Sequence, residues 1–166
     1  SMHREETVEI QKRFAELVKA LDAMAGTYNL PVVFSTHPRT MKRLEAQGVV
    51  FNPLIRNVRP LGFTDYCRLQ LDARCVISDS GTLSEESSML HFPGVVLRNS
   101  TERPEVLDKG TVVIGGYRAE TLLQSVEMAM QLSDFEDHRP VDYRDINVAS
   151  KVVKLIQSYA PIIDSL

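Results

Sequence analysis

The chain has 166 residues, of which 43% are apolar and 25% charged, with a formal net charge of −3. That length suits one domain with a sizeable core, and the acidic balance leaves no basic excess to neutralise phosphates, so nucleic acid is not an expected partner. No apolar run reaches the length of a membrane span, so no membrane partner is expected, and no secretory leader is visible; two cysteines set in apolar pattern, Cys67 and Cys75, suit a reduced, cytoplasmic setting better than a disulfide framework or a metal site.

From Glu5 to Ala25, Phe14, Leu17, Val18, Leu21, Met24 and Ala25 recur at three and four residues, which predicts a helix with one apolar stripe that stops at Gly26. Pro31 to Ser35 reads as a buried strand, followed by His37-Pro38-Arg39 at its carboxyl end and a helix to about Gln47. His37 suits a cap or structural role. Val49 to Val58 reads as a short strand and a loop. Phe63 to Ala73 is predicted helical, with Tyr66, Leu69 and Cys67 inward. After the Cys75 region, Pro104 to Lys109 reads as one helical turn, Thr111 to Ile114 as a strand ended by Gly115-Gly116, and Ala119 to Leu132 as a helix with Leu122, Val126, Met128 and Met130 apolar. A polar loop with Pro140 covers 134–144, and the last helix runs from Val148 to Ala160, ended by Pro161. Strands alternate with helices throughout, so the class is α/β: a Rossmann-like parallel sheet with helices on both faces.

The stretch from Cys75 to Glu105 carries the most chemistry. Cys75 to Ser78 is a short apolar strand, Asp79-Ser80-Gly81-Thr82 a turn, Leu83 to His91 a helix broken by Pro93, and Val95 to Leu97 the next strand. In such a βαβ unit the turn lies at the carboxyl end of the strand, and the helix N-terminus offers free N–H groups to an anion. Gly81 is read as free to take a backbone conformation that other residues resist. Ser80-Gly81-Thr82 either binds an anion or simply caps the helix. The polar cluster just past the next strand, from Arg98 through Arg103 to Glu105, is more than a cap requires, although both arginines also have carboxylates nearby to pair with.

The segment DSGTLSEE followed by RNSTERPE resembles the signature of the non-hydrolysing UDP-N-acetylglucosamine 2-epimerase family, and His3-Arg4-Glu5-Glu6 resembles its His-Arg-x-Glu motif. The segments at 60–66 and 147–153 are similar to the branch that acts on UDP-2-acetamido-2,6-dideoxy-hexoses in capsule and O-antigen synthesis. Thr82 in place of a second glycine, and Leu61 in place of a polar residue, point the same way. The resemblance covers nearly the whole chain, but only the C-terminal half of a two-domain enzyme built like the B-type glycosyltransferases. It implies a single nucleotide-sugar-binding domain over 1–166, beginning at a domain edge where the family places a strand before His3. The last helix, about 147–160, would pack on an N-terminal domain.

The same resemblance implies a UDP-sugar substrate, no cofactor, no metal, and a homodimer for the full-length enzyme. Ser80, Gly81 and Thr82 would hold the diphosphate, Glu86 the ribose hydroxyls, Tyr66 the uracil ring and Arg103 the sugar and phosphates, with Arg98 a further substrate-binding candidate. His3 would stabilise the leaving group. The carboxylates that move the C2 proton would come from the N-terminal domain. Two other readings remain: the nucleotide half of a B-type glycosyltransferase, or a non-enzymatic UDP-binding module.

Overall fold

The computed structural model describes residues 1–2, 10–131 and 139–165. The order of elements is α1 (Gln11–Tyr28), β1 (Val32–Ser35), α2 (Pro38–Ala46), β2 (Ile55–Val58), α3 (Phe63–Asp72), β3 (Val76–Ser78), α4 (Leu83–Leu90), β4 (Gly94–Val96), α5 (Pro104–Asp108), β5 (Val112–Ile114), α6 (Ala119–Gln131), a 3-10 turn (Val141–Tyr143) and α7 (Val148–Ile163). All strand pairs are parallel. β1 lies beside β2 with Val32 opposite Ile55, and β4 lies between β3 and β5 with Val95 opposite Ile77 and Val113. The carboxyl ends of the strands therefore share one edge.

The two ladders are joined through the first two residues. Ser1 donates to the Ile77 carbonyl at 2.7 Å and accepts from the Asp79 N–H at 3.3 Å, while Met2 pairs in parallel with Thr36. Between β1 and β3 the sheet opens on a mainly apolar cavity of about 430 Å³, lined among others by Leu17, Phe34, Tyr66 and Ile77. The single sheet expected from the pattern is thus realised as two ladders bridged at one end.

Both faces of the sheet are covered. On one, α1 and α6 bury Phe14, Leu17, Leu21, Met24, Leu122 and Val126 against Val95 and Leu97. On the other, Leu83 of α4 and Val106 of α5 pack with Val76, Val96 and Val112. Neighbours Val95 and Val96 enter opposite cores, as strand alternation requires, and a strand buried on both faces reads as a continuous apolar run. α6 is also tied to α1 by a side chain: the Glu16 carboxylate accepts the Ala119 N–H at 3.0 Å, one of the N–H groups that a helix start leaves without an internal partner. That bond holds the Glu16 carboxyl below the usual range.

Several expected boundaries move. α1 passes through Gly26 and ends at Asn29, whose left-handed backbone (φ 49°) lets its N–H reach the Ala25 carbonyl; asparagine tolerates this conformation better than most residues other than glycine. The strand expected in 49–58 forms at Ile55–Val58, and Val50 is exposed. Leu69 and Met128 face outward, and α3 instead buries Gln70. Pro161 lies inside α7, not beyond it. The apolar residues of α7, among them Val152, Val153, Leu155 and Ile156, are all exposed. The start of the first predicted helix, the His3-Arg4-Glu5-Glu6 segment and residues 134–138 of the predicted loop at 134–144 lie outside the described residues.

Candidate functional site

The turn after β3 is held from below by Arg98. This side chain lies past β4 and is 7% exposed. Its Nε and Nη2 donate to the Asp79 carbonyl at 3.0 and 2.8 Å, and its Nη1 donates to Glu102 Oε2 at 2.8 Å. A guanidinium supplies such a fork of donors in fixed geometry. One buried cation thus fixes the peptide that leads into Ser80 and also the carboxylate that follows β4.

Arg103 closes the turn from above. Its Nε donates to Glu85 Oε1 at 2.5 Å and its Nη1 to Glu102 Oε1 at 2.8 Å. The Glu85 contact, reinforced by its charge and by Glu102, raises the guanidinium further above its ordinary range. Glu102 bridges both arginines; hydrogen bonds from its own backbone and from Arg98 lower its pKa. Glu85 is part of this network, with Oε2 buried and unpartnered among the described residues. Glu105 does not join the arginines: it accepts the Tyr143 hydroxyl at 2.6 Å.

Gly81 has a role other than the expected one. Its backbone is not in the left-handed region, unlike Gly48, Gly110 and Gly116. What it provides is space, since a Cβ here would stand 3.0 Å from Arg103 Nη1 and 3.2 Å from Glu102 Oε1. The glycine lets the guanidinium lie directly over the turn.

The simple capping alternative is not what forms. α4 has no side-chain cap: Ser80 Oγ and Thr82 Oγ1 bond to each other at 2.9 Å, and Ser80 N–H turns back to Ser78 Oγ at 3.1 Å. The helix start has no side-chain cap, although the Ser84 N–H bonds the Gly81 carbonyl at 3.3 Å, and it lies beneath a cation with two hydroxyls at its mouth. That is an arrangement suited to an anion.

Glu86, one turn into α4, lies on the side facing α3. Its Oε2 accepts from Gln70 Nε2 at 2.5 Å. Tyr66, four residues before Gln70, is half-buried on the same helix face. Burial first, then the nearby Glu86 charge, raises the pKa of its hydroxyl, which interacts with Ser1 and Ser78. Ser80, Gly81, Thr82, Arg98 and Arg103 therefore come together at one point, and Glu86 and Tyr66 at an adjoining one. His3 lies outside the described residues. His37 caps α2 weakly, its Nδ1 accepting from Arg39 N–H at 3.4 Å.

Sequence reasoning missed Gln70. A polar residue at an inward position of a predicted helix was the available signal. Burial drives the Cys75 thiol up to about 12, consistent with an inert structural cysteine. Among the described residues no group of His, Cys, Asp and Glu side chains converges as a metal site would, and no helix is long and apolar enough to cross a membrane.

Comparison with known proteins gives this geometry a family. Residues 1–157 match the model of the UDP-N-acetylglucosamine 2-epimerase family. A UDP-N-acetylglucosamine 2-epimerase of Methanococcus maripaludis is 33% identical over 135 residues, covering 79% of this chain and 37% of that protein. The fold superposes on the structure of UDP-N-acetylglucosamine 2-epimerase from Rickettsia bellii with a TM-score of 0.81 at 33% identity, covering 99% of this chain and 44% of that one. It also superposes on the Methanocaldococcus jannaschii UDP-GlcNAc 2-epimerase in complex with UDP-GlcNAc and UDP, with a TM-score of 0.83 at 27% identity, covering 95% of this chain and 44% of that one. The chain spans less than half the length of these relatives. It belongs to the UDP-N-acetylglucosamine 2-epimerase family.

Proposed function

We propose that this chain is the UDP-binding, C-terminal half of an enzyme that inverts C2 of a UDP-2-acetamido sugar. The observation that carries this reading is the start of α4, which has no side-chain cap, with Ser80 and Thr82 at its mouth and Arg103 seated over Gly81. Backbone N–H groups, two hydroxyls and a guanidinium there suit a diphosphate. Arg98 acts on the ligand through the turn, because three of its donor contacts go to Asp79 and Glu102. Glu86 is assigned to the ribose hydroxyls and Tyr66 to the base, which an aromatic ring holds by stacking.

In the reaction so assigned, the C2 proton is removed as the C1–oxygen bond to UDP breaks, giving a glycal and free UDP. UDP then adds back to C1 while C2 is protonated on the opposite face. The groups of this chain hold the diphosphate throughout, so the departing charge is met by donors already in place. His3 is assigned to the leaving phosphate. The carboxylates that move the C2 proton belong to the other half of the enzyme, and the exposed apolar residues of α7 suit packing against that half. The dideoxy-hexose branch, a surface-polysaccharide role, a cytoplasmic setting and a homodimer are parts of the same proposal.

The experiment is incubation of a UDP-2-acetamido sugar in D2O with the full-length protein that contains this chain. Deuterium at C2 and appearance of the C2 epimer are expected. Transfer of the sugar to an acceptor without C2 exchange would instead assign the site to a glycosyltransferase.

A further inference from the structure

Gln70 is the one buried residue of α3, at 2% exposure on a helix that is otherwise at least partly open. Its Nε2 donates to Glu86 Oε2 at 2.5 Å, and its Oε1 is buried with no partner among the described residues. An ionised carboxylate only accepts, so the amide nitrogen is fixed on the Glu86 side. A leucine or methionine would fill the same space without leaving a buried acceptor unpaired, a costly defect. Packing alone therefore does not account for an amide here; the bond to Glu86 does.

We propose that Gln70 is a positioning residue that holds the Glu86 carboxylate by Oε2, so that Oε1 is presented to the vicinal hydroxyls of the ribose of a nucleoside diphosphate. The proposal rests on the reading of this site as a UDP site. Glu86 stands on α4 and Gln70 on α3, so the bond spans two helices. It fixes the rotamer of a long side chain that would otherwise be free on the helix surface, and the cost of ordering that side chain is met before the ligand arrives.

The test is calorimetric titration of the chain and of Gln70→Met with UDP and with 2′,3′-dideoxy-UDP, alongside thermal melting. Gln70→Met is expected to melt within a few degrees of the wild type, to bind UDP about tenfold more weakly, and to bind the dideoxy ligand with unchanged affinity. Gln70→Glu sets a second carboxylate against Glu86 and should weaken UDP more than Gln70→Met does. The double variant Gln70→Met/Glu86→Gln should bind UDP no more weakly than Glu86→Gln alone, because the two residues act as one unit. If Gln70 only joins the two helices, Gln70→Met would bind both ligands like the wild type, or lose both alike as its melting temperature falls; either result overturns the proposal. Failure of the wild type to bind UDP would overturn the nucleotide reading itself, and the positioning role with it.

Discussion

Arg98 and Asp79, 19 positions apart, are joined by two hydrogen bonds from one guanidinium to one backbone carbonyl, at 3.0 and 2.8 Å. The contact ties the end of β3 to the end of β4 at the point where the chain leaves the sheet. It makes the position of the Ser80-Gly81-Thr82 turn depend on a buried side chain that does not belong to the turn.

Arg98→Met should therefore cost both stability and ligand binding. It takes two donors from the carbonyl of buried Asp79, and a buried group left unsatisfied costs about 1–3 kcal/mol. Urea denaturation should show a loss of that size, and UDP affinity should fall as well. Unchanged stability would mean that the turn keeps its place without Arg98.

Gly81→Ala should separate binding from folding. The new methyl would stand 3.0 Å from Arg103 Nη1 and 3.2 Å from Glu102 Oε1, the outer ends of two flexible side chains, so the fold can yield by moving them. Stability should change by less than about 1 kcal/mol. UDP affinity should drop about tenfold, or about 1.4 kcal/mol, as the guanidinium leaves its seat over the turn. Calorimetry and thermal melting of the same variant measure the two effects separately. A large fall in stability with intact affinity would contradict this account of the glycine.

How much of this was legible in the sequence differs from one residue to the next. The βαβ unit could be read because a short apolar run meets Asp-Ser-Gly-Thr and then a helix ended by Pro93, and each of these signals is local. The identity of the partners could not be read. Nothing in the order of residues says that Glu85 would reach Arg103 or that Glu105 would turn to Tyr143, because those contacts depend on how α4, α5 and the 3-10 turn pack. Gln70 escaped notice for a related reason: periodicity finds apolar faces, and a buried amide breaks the pattern it searches for. Pro161 signals a stop that α7 passes through, and Asn29 ends α1 without a glycine. A helix can carry a proline where the lost bond is tolerated, and a left-handed end does not require glycine.

The Tyr143–Glu105 contact predicts a pH dependence of stability. The hydroxyl of Tyr143 first, then a bond from its own backbone, lowers the pKa of Glu105 from its ordinary 4.5. A carboxyl depressed in the folded state adds stability that is fully present above its unfolded pKa and is lost as pH falls through the folded value. Tyr143→Phe removes the donor. The stability difference between wild type and variant should be constant above about pH 5 and shrink as pH falls below the ordinary carboxylate range. Denaturation curves between pH 3 and pH 7 check this, and a difference independent of pH would show that the hydroxyl contributes nothing through Glu105.

If the turn, Arg103 and Glu86 form the UDP half of an epimerase site, calorimetric titration of this chain with UDP, UMP and uridine must rank the three ligands by their phosphates. One saturable UDP site per chain is expected, with weaker binding of UMP and weakest binding of uridine, because the diphosphate meets the α4 start and Arg103 while the nucleoside meets only Glu86 and Tyr66. Binding of UDP that is no stronger than that of uridine would contradict it.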